Sequence, residues 1–217
     1  MNVDIEELFC LESELGNEWG STTSSVDRDA KKNMLKYLQV EAVFQYHEAF
    51  DDLYYELEKE GGLECLRSIA PVRSRNLLQP KVLEPQDCEE DAPLAKQLQF
   101  YLAGARLAKQ RLDELVAKVA DDSEGCEVQR VEVMSLESTR RKAAMFCGGD
   151  VRKVTDMARV TLICDTPEAL EQAYLAIMGL FQPQDVLRVA NGFTNNWTPG
   201  GFRDVRVNAV VNEHLCE

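Results

Sequence analysis

Basic side chains gather in the C-terminal part of the chain at Arg140-Arg141-Lys142 and Arg152-Lys153. Arg159 interrupts an apolar run there, and Asp156 stands just before it. Groups of these types can meet a small triphosphate, and a neighbouring carboxylate can help to hold a hard cation. Thiol and imidazole chemistry is less well supported. The seven cysteines (Cys10, Cys65, Cys88, Cys126, Cys147, Cys164 and Cys216) are scattered without a Cys-x-x-Cys, and the only histidines are His47 and His214. A structural zinc is therefore disfavoured, and the thiols read as reduced, small buried hydrophobes.

Charge narrows the ligand further. Of the net −14, residues 125–217 carry 10 Lys+Arg against 12 Asp+Glu, a net of −2. Residues 1–124 hold the remaining 14 and 26, a net of −12. A polyanion is repelled by such an N-terminal half, so broad nucleic-acid binding is disfavoured, with tRNA kept as the one nucleic-acid option. The longest apolar runs, such as Val160 to Cys164, are strand-length and far short of the ~20 residues a membrane helix needs. Acids in Met1-Asn2-Val3-Asp4-Ile5-Glu6-Glu7 are unlike a basic targeting segment. A cytoplasmic protein with no membrane partner is expected.

The elements that must position these residues divide into two parts. Residues 1–92 read as a helical region. Helices are expected from Asp4 to Leu15, from Asp27 to about Glu60 with Gly61-Gly62 as its stop, and from Leu63 to Ile69. An acidic, proline-containing linker follows at 71–92. Residues 93–217 open with a long helix over 93–120. Periodicity then predicts a strand over Val128–Met134 and a helix opened by Ser135 or Ser138 and running to Cys147. A strand over Val160–Cys164 follows, then a Thr166-capped helix to about Phe181, and strands over Val186–Val189 and Val205–Val211. The expected class is α+β, a mixed sheet with helices behind a mainly helical N-terminal region.

Three segments stand out in order and spacing. Cys147-Gly148-Gly149-Asp150 is followed by Val154-Thr155-Asp156-Met157-Ala158-Arg159-Val160-Thr161. Val186-Leu187-Arg188-Val189-Ala190-Asn191-Gly192-Phe193 is the second. Thr198-Pro199-Gly200-Gly201-Phe202-Arg203-Asp204-Val205, ending in Asn212-Glu213-His214-Leu215-Cys216-Glu217, is the third. Over about residues 136–217 they resemble a divergent branch of the RelA/SpoT family of alarmone synthetases. The resemblance implies a nucleotidyltransferase-like domain that moves pyrophosphate from ATP to a nucleotide such as GDP or GTP, with Mg²⁺ and release of AMP. It implies Asp156 and Glu217 as catalytic, metal-holding carboxylates. It implies Arg141 and Lys142 as the clamp on ATP, Arg159 and Arg203 as further substrate contacts, and Phe202 as the ring that stacks on the acceptor base.

The chain departs from the family at Ala190, where a basic residue is usual, at Gly192, where arginine is common, and at Arg206, where the better-known synthetases have histidine. The family also continues past the glutamate that Glu217 matches, with a glutamine and further strand and helix, so a truncated domain is one expectation. Two alternatives accompany the synthetase reading: a catalytically degenerate module of the same fold that binds a nucleotide or a protein, and an RNA 3′-end pyrophosphokinase. The protein partner of the N-terminal helices is open.

Overall fold

The computed structural model describes residues 47, 49–73, 77–79, 94–194 and 201–217. The expected helix from Asp4 to Leu15 and most of the one from Asp27 lie outside the described residues. The described residues fall into two compact units, one holding 47, 49–56, 201 and 202, the other holding residues from Leu57 to Thr194 and from Arg203 to Glu217.

In the smaller unit residues 49–56 are helical. Phe50 and Tyr54, one turn apart, stack with ring centroids 6.1 Å apart, and Phe202 meets Phe50 edge-on at 5.5 Å.

The larger unit is α+β. Its elements are α1 (Glu64–Arg67), β1 (Val72–Arg73), α2 (Leu94–Asp122), β2 (Cys126–Arg130) and α3 (Leu136–Phe146). A 3₁₀ turn (Val151–Lys153) leads on to β3 (Val160–Cys164), α4 (Pro167–Leu180), β4 (Val186–Asn191), β5 (Val205–Val211) and β6 (His214–Cys216). All paired strands are antiparallel, in a four-stranded sheet of order β1-β4-β5-β6 and a two-stranded sheet β2-β3. The two sheets are joined at Glu217, whose N–H donates to Ala158 O at 3.1 Å while its carbonyl accepts from Val160 N at 3.0 Å. Two bonds that bracket Arg159 in this way are the parallel pattern.

Each element has a local cause. α2 buries Leu98, Leu102, Ala105, Ala108, Leu112, Val116 and Val119, a stripe at three- and four-residue spacing. The stripe packs with Ala143, Val151, Val154, Met157, Ala158, Val211 and Cys216 as the core. Ser135 caps α3 by accepting from Ser138 N at 3.1 Å, and Thr166 caps α4 by accepting from Ala169 N at 3.1 Å. Gly148 and Gly149 end α3 with φ of 62° and 86°, conformations glycine adopts without strain. Asn212 and Glu213, at φ 46° and 62°, close the β5–β6 hairpin as a two-residue turn.

β2 is displaced from the expected Val128–Met134. It runs from Cys126 because β3 offers five residues to pair with, Val160 to Cys164, and the register ends at Arg130. The stretch read as linker holds two anchored pieces among its described residues. Val72 and Arg73 pair with Val189 and Arg188. Gln79 is buried, donates to Val154 O and Leu215 O at 3.0 and 3.1 Å, and accepts from Leu215 N at 2.9 Å.

Candidate functional site

The register of the sheet builds a row of polar side chains from residues far apart in sequence. Arg188 pairs with Asn208 across β4–β5. Ala209 pairs with Cys216 across β5–β6, which sets Asn208 beside Glu217. Glu217 in turn lies beside Arg159 through its two backbone bonds. Neighbours in register share a face, so Arg159, Glu217, Asn208 and Arg188 line up across the sheet, with the backbone of Arg73 in register beyond Arg188.

Hydrogen bonds hold the row. Arg188 Nε donates to Asn208 Oδ1 at 2.7 Å, and Arg188 Nη2 donates to Glu217 Oε2 at 3.3 Å. Asn208, fully buried, donates from Nδ2 to the same Glu217 oxygen at 3.2 Å. Two residues along β5, Arg206 lies opposite Ala190 and pairs with Asp204 at 3.3 Å. Burial pushes the Asp204 carboxyl above the usual carboxylate range, with Arg206 pulling it back in part. A cation across the strand thus stands where Ala190 carries none.

Asp156 lies two residues before Ala158, the residue that holds Glu217. It is buried, and its Oδ2 accepts from Lys142 Nζ on α3 at 2.5 Å. Its Oδ1 is buried and has no hydrogen-bond partner among the described residues. A buried carboxylate oxygen left bare is costly unless something fills its place. Arg141 and Arg159 are half-buried, and neither makes a hydrogen bond or ion pair among the described residues.

Other basic residues are committed elsewhere. Arg152 folds back onto Asp150 with Nε at 2.9 Å and Nη2 at 3.1 Å, and that hydrogen bond is the main reason the Asp150 carboxyl sits low. Arg203 precedes β5 and acts on Glu58, whose carboxyl is held low first by Arg67 at 2.7 Å and in smaller part by Arg203. Phe202 belongs to the smaller unit. The structure therefore brings Lys142 to Asp156 and Glu217 to the strand that Asp156 leads into, and leaves Arg203 out of the row.

No family model, curated protein or solved structure matches the chain. What the arrangement can do rests on its own chemistry.

Among the described residues no group of three or more His, Cys, Asp or Glu is placed to hold a metal. Mg²⁺ needs fewer protein ligands, because it binds through one or two carboxylates and completes its shell with water and phosphate oxygens. The bare Asp156 Oδ1 is one carboxylate oxygen of the kind such an ion takes.

Reading the sequence by motif missed Arg188 and Asn208. The signal was present: Asp204, Arg206 and Asn208 alternate with Val205, Val207 and Ala209, a period of two that puts all three on one face. One motif glycine and one motif asparagine also have structural duties. A Cβ on Gly192 would lie 2.9 Å from Asp204 N and 3.0 Å from Asp204 O, so no arginine fits there. Asn191, almost fully buried, donates to Leu66 O at 2.7 Å and Ile69 O at 3.0 Å and accepts from Phe193 N at 2.9 Å. It satisfies the carbonyls at the end of α1.

Proposed function

We propose that the larger unit is a nucleotidyltransferase-like domain that transfers pyrophosphate from ATP to a nucleotide such as GDP or GTP, assisted by Mg²⁺. The observation that carries this reading is the row of Arg159, Glu217, Asn208 and Arg188, reached by the segment that holds the buried Asp156 three residues before Arg159. Glu217, 61 residues from Asp156 in sequence, is bonded to the backbone that Asp156 leads into, and Arg159 and Arg188 stand on the face of Glu217.

In this reaction the acceptor's ribose hydroxyl attacks the β-phosphorus of ATP, the Pα–O–Pβ bond breaks, and AMP leaves. Catalysis of this kind is chiefly positioning and neutralisation of charge. Arg141 and Arg159, which have no partner among the described residues, would meet phosphate oxygens. Lys142 would turn from Asp156 toward the triphosphate or hold the carboxylate in place. Asp156 and Glu217 would hold Mg²⁺, which when bound neutralises phosphate charge.

The Lys142–Asp156 ion pair also favours a second reading. A lysine on the metal carboxylate is what a degenerate module that binds a nucleotide without turnover would keep. A third reading, pyrophosphorylation of an RNA 3′ end, is served by the same chemistry.

AMP release from ATP and Mg²⁺ in the presence of GDP, GTP or tRNA separates the three. Acceptor-dependent AMP that disappears in Asp156→Asn supports transfer and names the acceptor. Nucleotide binding without AMP from the folded protein selects the degenerate module, and AMP with tRNA alone selects the RNA reading.

A further inference from the structure

Cys126 opens β2 and Cys164 closes β3, and the antiparallel register sets them directly opposite one another. Asp165 N donates to Gly125 O at 2.9 Å just outside the pair. That bond makes Cys126–Cys164 a non-hydrogen-bonded position, where opposite Cα atoms approach to about 4.5 Å and side chains are closest. Disulfides span Cα separations of about 4.4–6.8 Å, so the strands need not move to accept one.

The thiols already meet, with Sγ atoms 3.2 Å apart. Both are free and half-buried, within reach of a small reagent. Cys126 Sγ also approaches Ala169 O on α4 at 3.7 Å, which helps to fix its rotamer.

We propose that Cys126 and Cys164 are a modification site, a dithiol that a low-molecular-weight disulfide converts into a cross-strand disulfide. The Cys126 thiolate attacks one sulfur of the reagent. The reagent's S–S bond breaks, and the departing thiolate takes up the proton Cys126 had released. Cys164 Sγ then attacks Cys126 Sγ, the mixed disulfide breaks, and a second small thiol leaves with the proton of Cys164. The protein loses two hydrogens with their electrons, and the reagent gains them as two thiols. Burial, and then the hydrogen bond with Cys126, push Cys164 up to about 12, which disfavours Cys164 as the first attacker.

The site is independent of the proposed pyrophosphate transfer. Its test is to incubate the folded full-length chain with oxidised glutathione, alkylate the remaining thiols and map unreduced peptides by mass spectrometry. The expected product is one peptide pair joining Cys126 to Cys164, reversed by dithiothreitol, with Tm raised by roughly 5 °C. Cys164→Ser should trap glutathione on Cys126, an adduct that a purely structural role for the pair would not produce. Both cysteines remaining alkylatable in the folded wild type would overturn the proposal. So would a stable glutathione adduct on wild-type Cys126, or a link from either cysteine to a different one.

Discussion

On one face of β4, Asn191 commits both amide hydrogens to Leu66 and Ile69 carbonyls and its oxygen to Phe193 N. On the other face, Arg188 reaches Asn208 and Glu217 at the open side of the sheet, with side chains 33% and 22% exposed for Arg188 and Glu217. Three residues before Arg159, Asp156 Oδ1 has no partner among the described residues. Both clusters are polar, and both sit on strands that are mostly apolar. The first is closed, every polar atom satisfied from within, as a buried group must be if it is there for stability. The second has bonding capacity left over, and unspent capacity at a partly buried site is what a ligand can use. Substitutions that exchange an amide for a carboxylate separate the two regions, because they change charge and donors while keeping shape.

The largest effect is expected at Asn191→Asp. A carboxylate there has no hydrogens for Leu66 O and Ile69 O, and it is itself almost fully buried. Loss of about 4 kcal/mol or more is expected, read as a fall in the urea midpoint at neutral pH. An Asn191→Asp variant within about 1 kcal/mol of wild type would mean that the α1 corner is not closed in solution. Asp156→Asn makes the opposite exchange in the other region. AMP formation should fall by about a hundredfold or more, while the urea midpoint stays near wild type because only the Lys142 partner is lost. A large stability loss with AMP formation retained would reverse the assignment of the two regions.

Much of the framework was legible because its causes are local. Thr166-Pro167, Ser135 and Gly148-Gly149 signal their caps and turn within a few residues, and Val205–Val211 reads as a strand from composition alone. Candidate site residues could be named from sequence where a motif spans adjacent residues, as at Asp156, Arg159 and Glu217. Arg188, Asn208 and Glu217 become neighbours through register, and register depends on pairings between distant segments. Gln79 shows the same limit. Nothing around it in sequence marks a residue that will bond to Val154 and Leu215, since a lone glutamine near prolines looks like loop. Ala190 looked like a missing charge until the register set Arg206 opposite it.

His214 adds a test by pH, away from both clusters. Its imidazole is buried, Nε2 has no partner among the described residues, and Nδ1 lies 3.3 Å from where a Cβ on Gly104 would stand. Burial lowers its pKa from 6.5 to about 4, so the folded state prefers the neutral ring. Between these values the unfolded chain binds the extra proton, and stability rises with pH. The contribution is fully present above pH 6.5 and is lost as pH falls toward 4, by about 3 kcal/mol at most. Urea melts across this range should show the slope in wild type and lose it in His214→Leu. An equal slope in both would place the titration elsewhere.

A small effect on stability is expected at Asn208→Ala, and it is the sharpest contrast with Asn191. Asn208 bridges Arg188 Nε and Glu217 Oε2 and donates at 3.4 Å to Cys216 O; the two side-chain partners are partly exposed and can turn to water, so stability should fall by about 1–2 kcal/mol. Without the bridge the Glu217 carboxylate is held by Arg188 alone. If the row binds Mg²⁺ and phosphate, its geometry loosens, and AMP formation should drop about tenfold or more, with a higher Mg²⁺ requirement as the specific sign. Asn208→Ala that costs as much stability as Asn191→Asp, with no change in nucleotide handling, would make the row a structural network like the one on the opposite face.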